Sequence, residues 1–445
     1  MAQIKDMTEG KPIRLMIKFS IPLLISNSLQ LLFTVADSAI VGRILGVNAF
    51  ASVGVTASPH WLILSVVFGM SHGFSTLFAQ RFGAKDEAGL RRAFVTAAYM
   101  AAVLSVTIGL TGVFMSAPLM DLLRTPPEIV DGAVTYLSFL FGGLPITFAY
   151  NLLAMTLYGL GDSKTPLKAM AVATVLNIAF DFALVIPLGI AGVAMASLLA
   201  QTAAFAYCWR ALRKTSILKG CGYRWDKTSV VPLLKLAVPL GFRNGVIEVG
   251  GLLVQRYVNE YGTEFVAGIA AAKRMYALIM IAGGAIEASI VTFVAQNFGA
   301  GRFDRVRQGV KDGLRLALMS AAVVMAIALP FGRSILSLLI DGEVAQVTAV
   351  LDAGSRQLLI MTMGLPILHL LFLYRAALQG IGNTFIPMIS GFVELGLRVF
   401  SVLVLTRIWG VWGIYLSDPL GWPFAMLLLV ISYFIVFRKL RVQSE

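Results

Sequence analysis

Residues 20–30 read SIPLLISNSLQ and residues 237–247 read AVPLGFRNGVI, so that Pro22 falls on Pro239 and Asn27 on Asn244. The same kind of match returns twice. FGMSHGFSTLFAQRFGA at 68–84 lines up with AGGAIEASIVTFVAQNFGA at 282–300, both ending in AQ-x-FGA. LYGLGDSKTP at 157–166 lines up with LQGIGNTFIP at 378–387. Three matches in one order, each displaced by roughly 216–221 residues, mark an internal duplication.

The duplicated unit is built for lipid. Of 445 residues, 58% are hydrophobic and 13% charged, and the mean hydropathy is +0.83. A soluble domain carries about 45–50% apolar and about 25% charged residues. The surplus exceeds what an ordinary core can bury, which excludes a soluble enzyme, a disordered chain and a fibrous repeat. Two cysteines, Cys208 and Cys221, exclude a disulfide scaffold and a cysteine-based zinc or iron–sulfur site. His60, His72 and His369 are scattered, so no histidine-rich metal centre is written in the chain.

A membrane span needs about 20 largely apolar residues. Twelve such segments run at roughly 16–42, 50–80, 93–116, 133–158, 167–186, 189–210, 232–257, 265–296, 312–338, 350–378, 386–406 and 411–437. The reading is an all-α polytopic membrane protein of twelve transmembrane helices. It divides into a first lobe (1–212), a cytoplasmic linker (213–231) and a second lobe (232–445). The N-terminal stretch MAQIKDMTEGKPIRLMIKFS is expected to be an amphipathic lead-in to the first span, not a cleavable signal.

Loop charge alternates in step with the spans. The N-terminus, residues 81–92, 161–168, the central linker, 301–311 and the C-terminus are basic. The intervening loops are short or acidic: Asp121, Glu128 and Asp131; Glu260 and Glu264; Asp341 and Glu343. One loop departs from the alternation, since residues 380–385 carry no lysine or arginine. Basic loops stay in the cytoplasm, so both termini are expected there, in the plasma membrane. The net charge of +13 is thereby assigned to loops facing the lipid surface and not to nucleic acid.

Six is an even number, so the second half starts on the same side as the first, and the halves are parallel repeats. Two such lobes alternate access to a site between them in secondary transporters. No G-x-x-x-x-G-K-[ST] phosphate loop is present; Gly159, Gly161 and the SKTP that follows read as a turn between spans.

Ionisable groups inside a bilayer are functional hypotheses by default. In the first lobe these are Asp37 in span one, and Asn177 and Asp181 at i and i+4 in span five, with Ser197 adding a hydroxyl from span six. Carboxylate, amide and hydroxyl oxygens suit either a sodium ion or a proton. The second lobe offers Arg243, Asn244 and Glu248 in span seven, Lys273, Arg274 and Glu287 in span eight, and Glu394 and Arg398 at i,i+4 in span eleven. That last spacing suits a pair on one helix. Arg243 and Arg274 can attract an anionic group or tune a neighbouring carboxylate, and Glu248 is an alternative cation site.

At these residues the chain resembles the MATE (multidrug and toxic compound extrusion) family. The likeness is carried by IPLLISNSLQLLFTVADSAIVGRILG, FAQRFGA and VAQNFGA, GLGDSKTP and GIGNTFIP, and NIAFDFALVIPLGIAGVAMAS, and it covers both lobes. The resemblance implies an antiporter exporting lipophilic or cationic compounds in exchange for H+ or Na+, with no other cofactor. A bacterial DinF-like branch fits better than a NorM-like one. Asp37 stands at that branch's first-span aspartate, Asn177 and Asp181 at its fifth-span pair, and Ser197 where many members have threonine. Glu248 matches the seventh-span glutamate of NorM-like members, whose tenth-span aspartate has no counterpart at Leu368 or His369. Many relatives have proline after the fifth-span aspartate, where this chain has Phe182. Small-molecule substrates, the lipid bilayer as the only other partner and a working monomer are expected. The rival readings are a flippase for a lipid-linked or phospholipid-type substrate and, less well supported, a polytopic membrane enzyme.

Overall fold

Glycine and proline decide where these apolar helices stop. In the computed structural model, which describes residues 4–215, 225–338 and 344–444, α1 (Pro12–Ile44) ends before Gly46. That residue sits at φ 84°, a left-handed conformation open to glycine, and α2 (Val47–Gly83) starts directly after it. The helices α3 (Glu87–Leu122), α4 (Pro127–Gly142), α5 (Leu144–Gly159), α6 (Lys164–Leu188) and α7 (Ile190–Leu212) complete the first half. The second half holds α8 (Lys227–Val258), α9 (Thr263–Gly299), α10 (Phe303–Ser337), α11 (Val344–Met363), α12 (Leu365–Gly380), α13 (Phe385–Phe400), α14 (Thr406–Trp409), α15 (Trp412–Tyr415) and α16 (Gly421–Ser444). A π-helical stretch, Ser401–Leu405, joins α13 to α14. There is no strand among the described residues. Asp341, Glu343 and Cys221, together with much of the expected central linker, lie outside them.

Among the described residues ten helices are long and apolar enough to cross a membrane, and counting each bent pair as one span gives twelve. The pairs are α4 with α5, bent by 46°, and α11 with α12, bent by 49°. Both breaks have one cause. Gly143 and Gly364 each lead into Leu-Pro, and the proline at the start of the second helix lacks the N–H that would continue the first. Hydroxyls inside the spans turn back on their own helices, as Ser20 Oγ does to the Met16 carbonyl at 2.8 Å and Thr156 Oγ1 to that of Leu152 at 2.6 Å. That satisfies the donor where lipid offers no partner.

The duplication survives in backbone detail. Gly189, between α6 and α7, has φ 57° and ψ −135°; Gly410, displaced by 221 residues, has φ 58° and ψ −132°. Behind each, a second glycine lies against backbone: Gly192 against Leu184, Gly413 against Leu405 and Thr406.

The chain forms two compact units. The first comprises Met1–Met7 and Ile21–Val238; the second comprises Thr8–Ser20 and Pro239–Glu445. This differs from a simple cut at the linker. The opening turns of α1 belong to the second unit and those of α8 to the first, and both changeovers fall beside the repeat-matched prolines Pro22 and Pro239. The main apolar core of the first unit is centred on Phe74, Phe78, Leu144, Phe148 and Leu157, contributed by α2 and α5. In the second unit, Ala271, Ala272, Met275, Leu336 and Leu358 join α9, α10 and α11.

Candidate functional site

Within the first unit, α1, α6 and α7 bring four residues together. Asp37 is 7% exposed, Ser197 4%, and Asn177 and Asp181 are fully buried. Ser197 Oγ donates to Asp37 Oδ2 at 2.9 Å. Asn177 and Asp181 lie one turn apart on α6, and both side chains face Asp37. Tyr136 of α4 lies close enough to interact with both carboxylates.

The cluster is polar and unsatisfied. Asp37 Oδ1, both carboxylate oxygens of Asp181 and both amide atoms of Asn177 are buried without a hydrogen-bond partner. A buried polar atom left unpaired costs about 1–3 kcal/mol, and more when charged. Two carboxylates facing one another add like-charge repulsion. One small cation offsets both costs. A proton can be shared between the acids, or a sodium ion can take the four open oxygens of Asp37, Asp181 and Asn177. The donor set therefore fits H+ or Na+. Among the described residues no group of three or more His, Cys, Asp or Glu side chains could hold a metal ion.

The same helix faces turn apolar one turn further on. Val41 follows Asp37 by four residues, Val185 follows Asp181 by four, and Val193 precedes Ser197 by four; all three are fully buried. With Ala49, Tyr136, Leu140 and Ala194 they form one cluster. All three valines lie on the side of the acids away from the basic loops, so an apolar plug packs beyond the acids on that side.

The second unit distributes its charges differently. Glu394 and Arg398 do not pair with each other as their spacing suggests. Glu394 Oε1 lies 2.6 Å from Arg375 Nη2 of α12, with both side chains buried. Arg398 reaches instead to Asp418 at 2.7 Å and donates from Nη1 to the Ile247 carbonyl at 2.9 Å. Facing helices supply closer oppositely charged partners than the same helix does, and burial makes a close partner decisive. Gly250 makes room for this: a Cβ there would meet Arg398 Nη1 at 3.1 Å.

Arg243 is buried, and its Nε and Nη2 donate to Asn244 Oδ1 at 3.1 and 2.9 Å, leaving Nη1 without a partner. Glu287 and Glu394 lie near enough to act on it electrostatically, as does Arg375. Lys273 Nζ donates to Gln255 Oε1 at 3.1 Å. Glu248 and Glu287 are half-buried, and Glu248 interacts with Arg398. Arg274 is exposed and stands apart from the buried network. Sequence reasoning missed Arg375, Asp418 and Tyr136. The first two carry a readable signal, a charge inside the apolar runs FLYRAALQG and YLSDPLG. Tyr136 carries none, since tyrosine is ordinary in a span.

Two six-span units related by duplication, with buried ionisable groups inside the spans, define a polytopic membrane transporter, not an enzyme. The chain matches MatE over residues 22–183 and 239–404, and it belongs to that family. It is 32% identical over 306 residues to the probable multidrug resistance protein YpnP of Bacillus subtilis, covering 68% of each chain. It is 29% identical over 447 residues to the probable multidrug resistance protein YoeA of the same organism, covering 96% of this chain and 95% of the relative. A MOP superfamily transporter from Pyrococcus furiosus shares the fold, with a TM-score of 0.90, 21% identity and 99% coverage of both chains.

Proposed function

We propose that the chain exports lipophilic or cationic small molecules by alternating access, in exchange for H+ or Na+ taken up at Asp37, Asn177, Asp181 and Ser197. The observation that carries this reading is the set of buried, unpartnered oxygens on two facing carboxylates and one amide. Relatives named as probable multidrug resistance proteins support the export of drug-like compounds. The acids bind one cation, and loading joins α1 to α6 through shared ligands. The empty site leaves two desolvated acids in opposition and favours a different arrangement of those helices. A gradient drives export when loaded and empty sites differ in substrate affinity, and a coupling of about 1–3 kcal/mol, roughly 5–150-fold, suffices. The basic loops orient both termini to the cytoplasm of the plasma membrane, and the monomer is the working unit. The location of the acids in the first lobe favours a DinF-like member.

The test is transport in sealed vesicles with proton and sodium gradients imposed separately. Export should follow one gradient in wild type and neither in Asp181→Asn. Undiminished gradient-driven export by Asp181→Asn would remove the first-lobe site from the mechanism.

A second reading is a flippase for a lipid-linked or phospholipid-type substrate. Arg243 favours it, because a buried guanidinium hydrogen-bonded only to a neutral amide suits a phosphate. Arg243→Gln should then abolish transport while sparing ion binding; an exporter of cations should tolerate the change.

A further inference from the structure

The turn GLGDSKTP and the end of α7 build a second feature that the transport cycle leaves unused. Lys164 and Lys168 stand one turn apart at the start of α6. Arg210 lies in the last turn of α7, and Lys214 in the turn just beyond it. The four cations, with Thr165 and Tyr207, line a cavity of about 240 Å³ on the basic-loop side of the first unit. Among the described residues none of the four has an acidic partner, although Arg81, Arg91 and Arg92 at neighbouring helix ends are paired with Asp86, Glu87 and Asp226. The nearby Asp162 is buried and committed. It accepts the backbone N–H groups of Lys164 and Thr165, both at 3.0 Å, and the Thr165 hydroxyl at 2.6 Å.

This arrangement repels itself. Like charges at i,i+4 are destabilising on α6, where the two lysines also lie at the positive end of the helix dipole. Membrane orientation does not require it. The repeat-matched positions in the second lobe are Phe385 and Ile389, at the start of α13 after the loop that carries no lysine or arginine, and that lobe threads its spans without them. What the cluster does suit is a concentrated anion. On the adjoining face of the same helix end, Phe205, Trp209 and Arg213 border a mainly apolar groove of about 640 Å³ between α3, α5 and α7. Cations at the lipid surface beside aromatic rings and an apolar groove match the parts of an anionic phospholipid.

We propose that the cavity between the basic ends of α6 and α7 is a binding site for the phosphate headgroup of an anionic phospholipid, held by Lys164, Lys168, Arg210 and Lys214. The site belongs to the first lobe alone. Bound lipid fixes the ends of α6 and α7, the helices that carry Asn177, Asp181 and Ser197, in register with the membrane surface.

The experiment is native mass spectrometry of the delipidated full chain after adding phosphatidylglycerol, phosphatidylcholine or inorganic phosphate. Wild type should retain phosphatidylglycerol at least tenfold better than phosphatidylcholine, and millimolar phosphate should not displace it. The variant Lys164→Gln/Lys168→Gln/Arg210→Gln/Lys214→Gln should lose the preference. So should Lys164→Phe/Lys168→Ile, which copies the second lobe. Arg81→Gln, outside the cavity, should keep it. Each cation removed singly should weaken retention about fivefold, so Lys168→Gln and Arg210→Gln decide the matter if the multiple variants do not fold. Equal retention by wild type and the cavity variants overturns the site, and full displacement by inorganic phosphate overturns the lipid as its ligand.

Discussion

The first lobe buries Asp37 and Asp181 where the second buries Val254 and Val402. The displacement of 217 residues that sets Pro22 against Pro239 sets Asp37 against Val254, and the displacement of 221 shared by Gly189 and Gly410 sets Asp181 against Val402, Asn177 against Arg398 and Ser197 against Asp418. The apolar plugs correspond as well. Val41, Val193 and Ala194 answer to Val258, Ile414 and Tyr415, and Val254 and Val402 lie in that second cluster. One scaffold thus carries two solutions to a charge buried in a span. The second lobe carries its own cation, the Arg398 guanidinium, which lies 2.7 Å from Asp418. At the matching positions the first lobe carries two carboxylates, and among the described residues Ser197 gives Asp37 a neutral hydroxyl while no cationic side chain pairs with either acid. The lobe that lacks a fixed countercharge is the one where the proposed function places a mobile cation.

Breaking the fixed pair should have the largest effect on stability. Asp418→Asn leaves the half-buried Arg398 with only more distant carboxylates and should cost about 1.5–3 kcal/mol, read as a fall in thermal midpoint in detergent. The double change Arg398→Asn/Asp418→Ser copies the first-lobe residues. Removing both partners together should cost clearly less than Asp418→Asn alone, and a cost equal to the sum of the singles would mean that the pair does not act as a unit.

Asp181→Asn should behave in the opposite way. Its carboxylate has no fixed partner to lose, so the melting temperature should hold while gradient-driven export falls by about 5–150-fold, the range of a 1–3 kcal/mol coupling. A strong loss of stability with normal coupling would make Asp181 a structural group like Asp418. Ser197→Ala removes one neutral donor to Asp37 and should weaken ion affinity by a factor equivalent to about 1 kcal/mol, measured by isothermal titration. The smallest effect belongs to the exposed pair Arg81–Asp86, where Arg81→Gln should shift stability by less than about 1 kcal/mol.

The duplication and the spans are legible because they rest on local pattern: apolar runs, loop charge and repeated turns. The gathering of Asp37, Asn177, Asp181 and Ser197 is legible in part, since buried-charge cost and the i,i+4 spacing mark the same residues that the fold brings together. Partner choice in the second lobe is not. Spacing along α13 offers Glu394 to Arg398, yet the contacts that form come from α12 and from the turn before α16, and only three-dimensional packing reveals those. The breaks at Gly143 and Gly364 lie inside uninterrupted apolar runs, where a hydropathy reading passes over a Gly-Leu-Pro step. The transfer of Thr8–Ser20 to the second unit leaves only the repeat-matched Pro22 beside the changeover, a mark that does not say to which unit the segment belongs.

The valine plug beyond the acids also has an electrical meaning. A dry layer of Val41, Val185 and Val193 is an insulator, and a transmembrane voltage falls mainly across insulating layers, not across polar ones. A cation moving between that end of the membrane and the two aspartates crosses this layer, and with it a share of the voltage worth up to about 2.3 kcal/mol per 100 mV for a unit charge. In the proposed exchange, three side chains with no charge of their own would thereby add membrane potential to concentration as a driving force, wherever a cycle moves net charge.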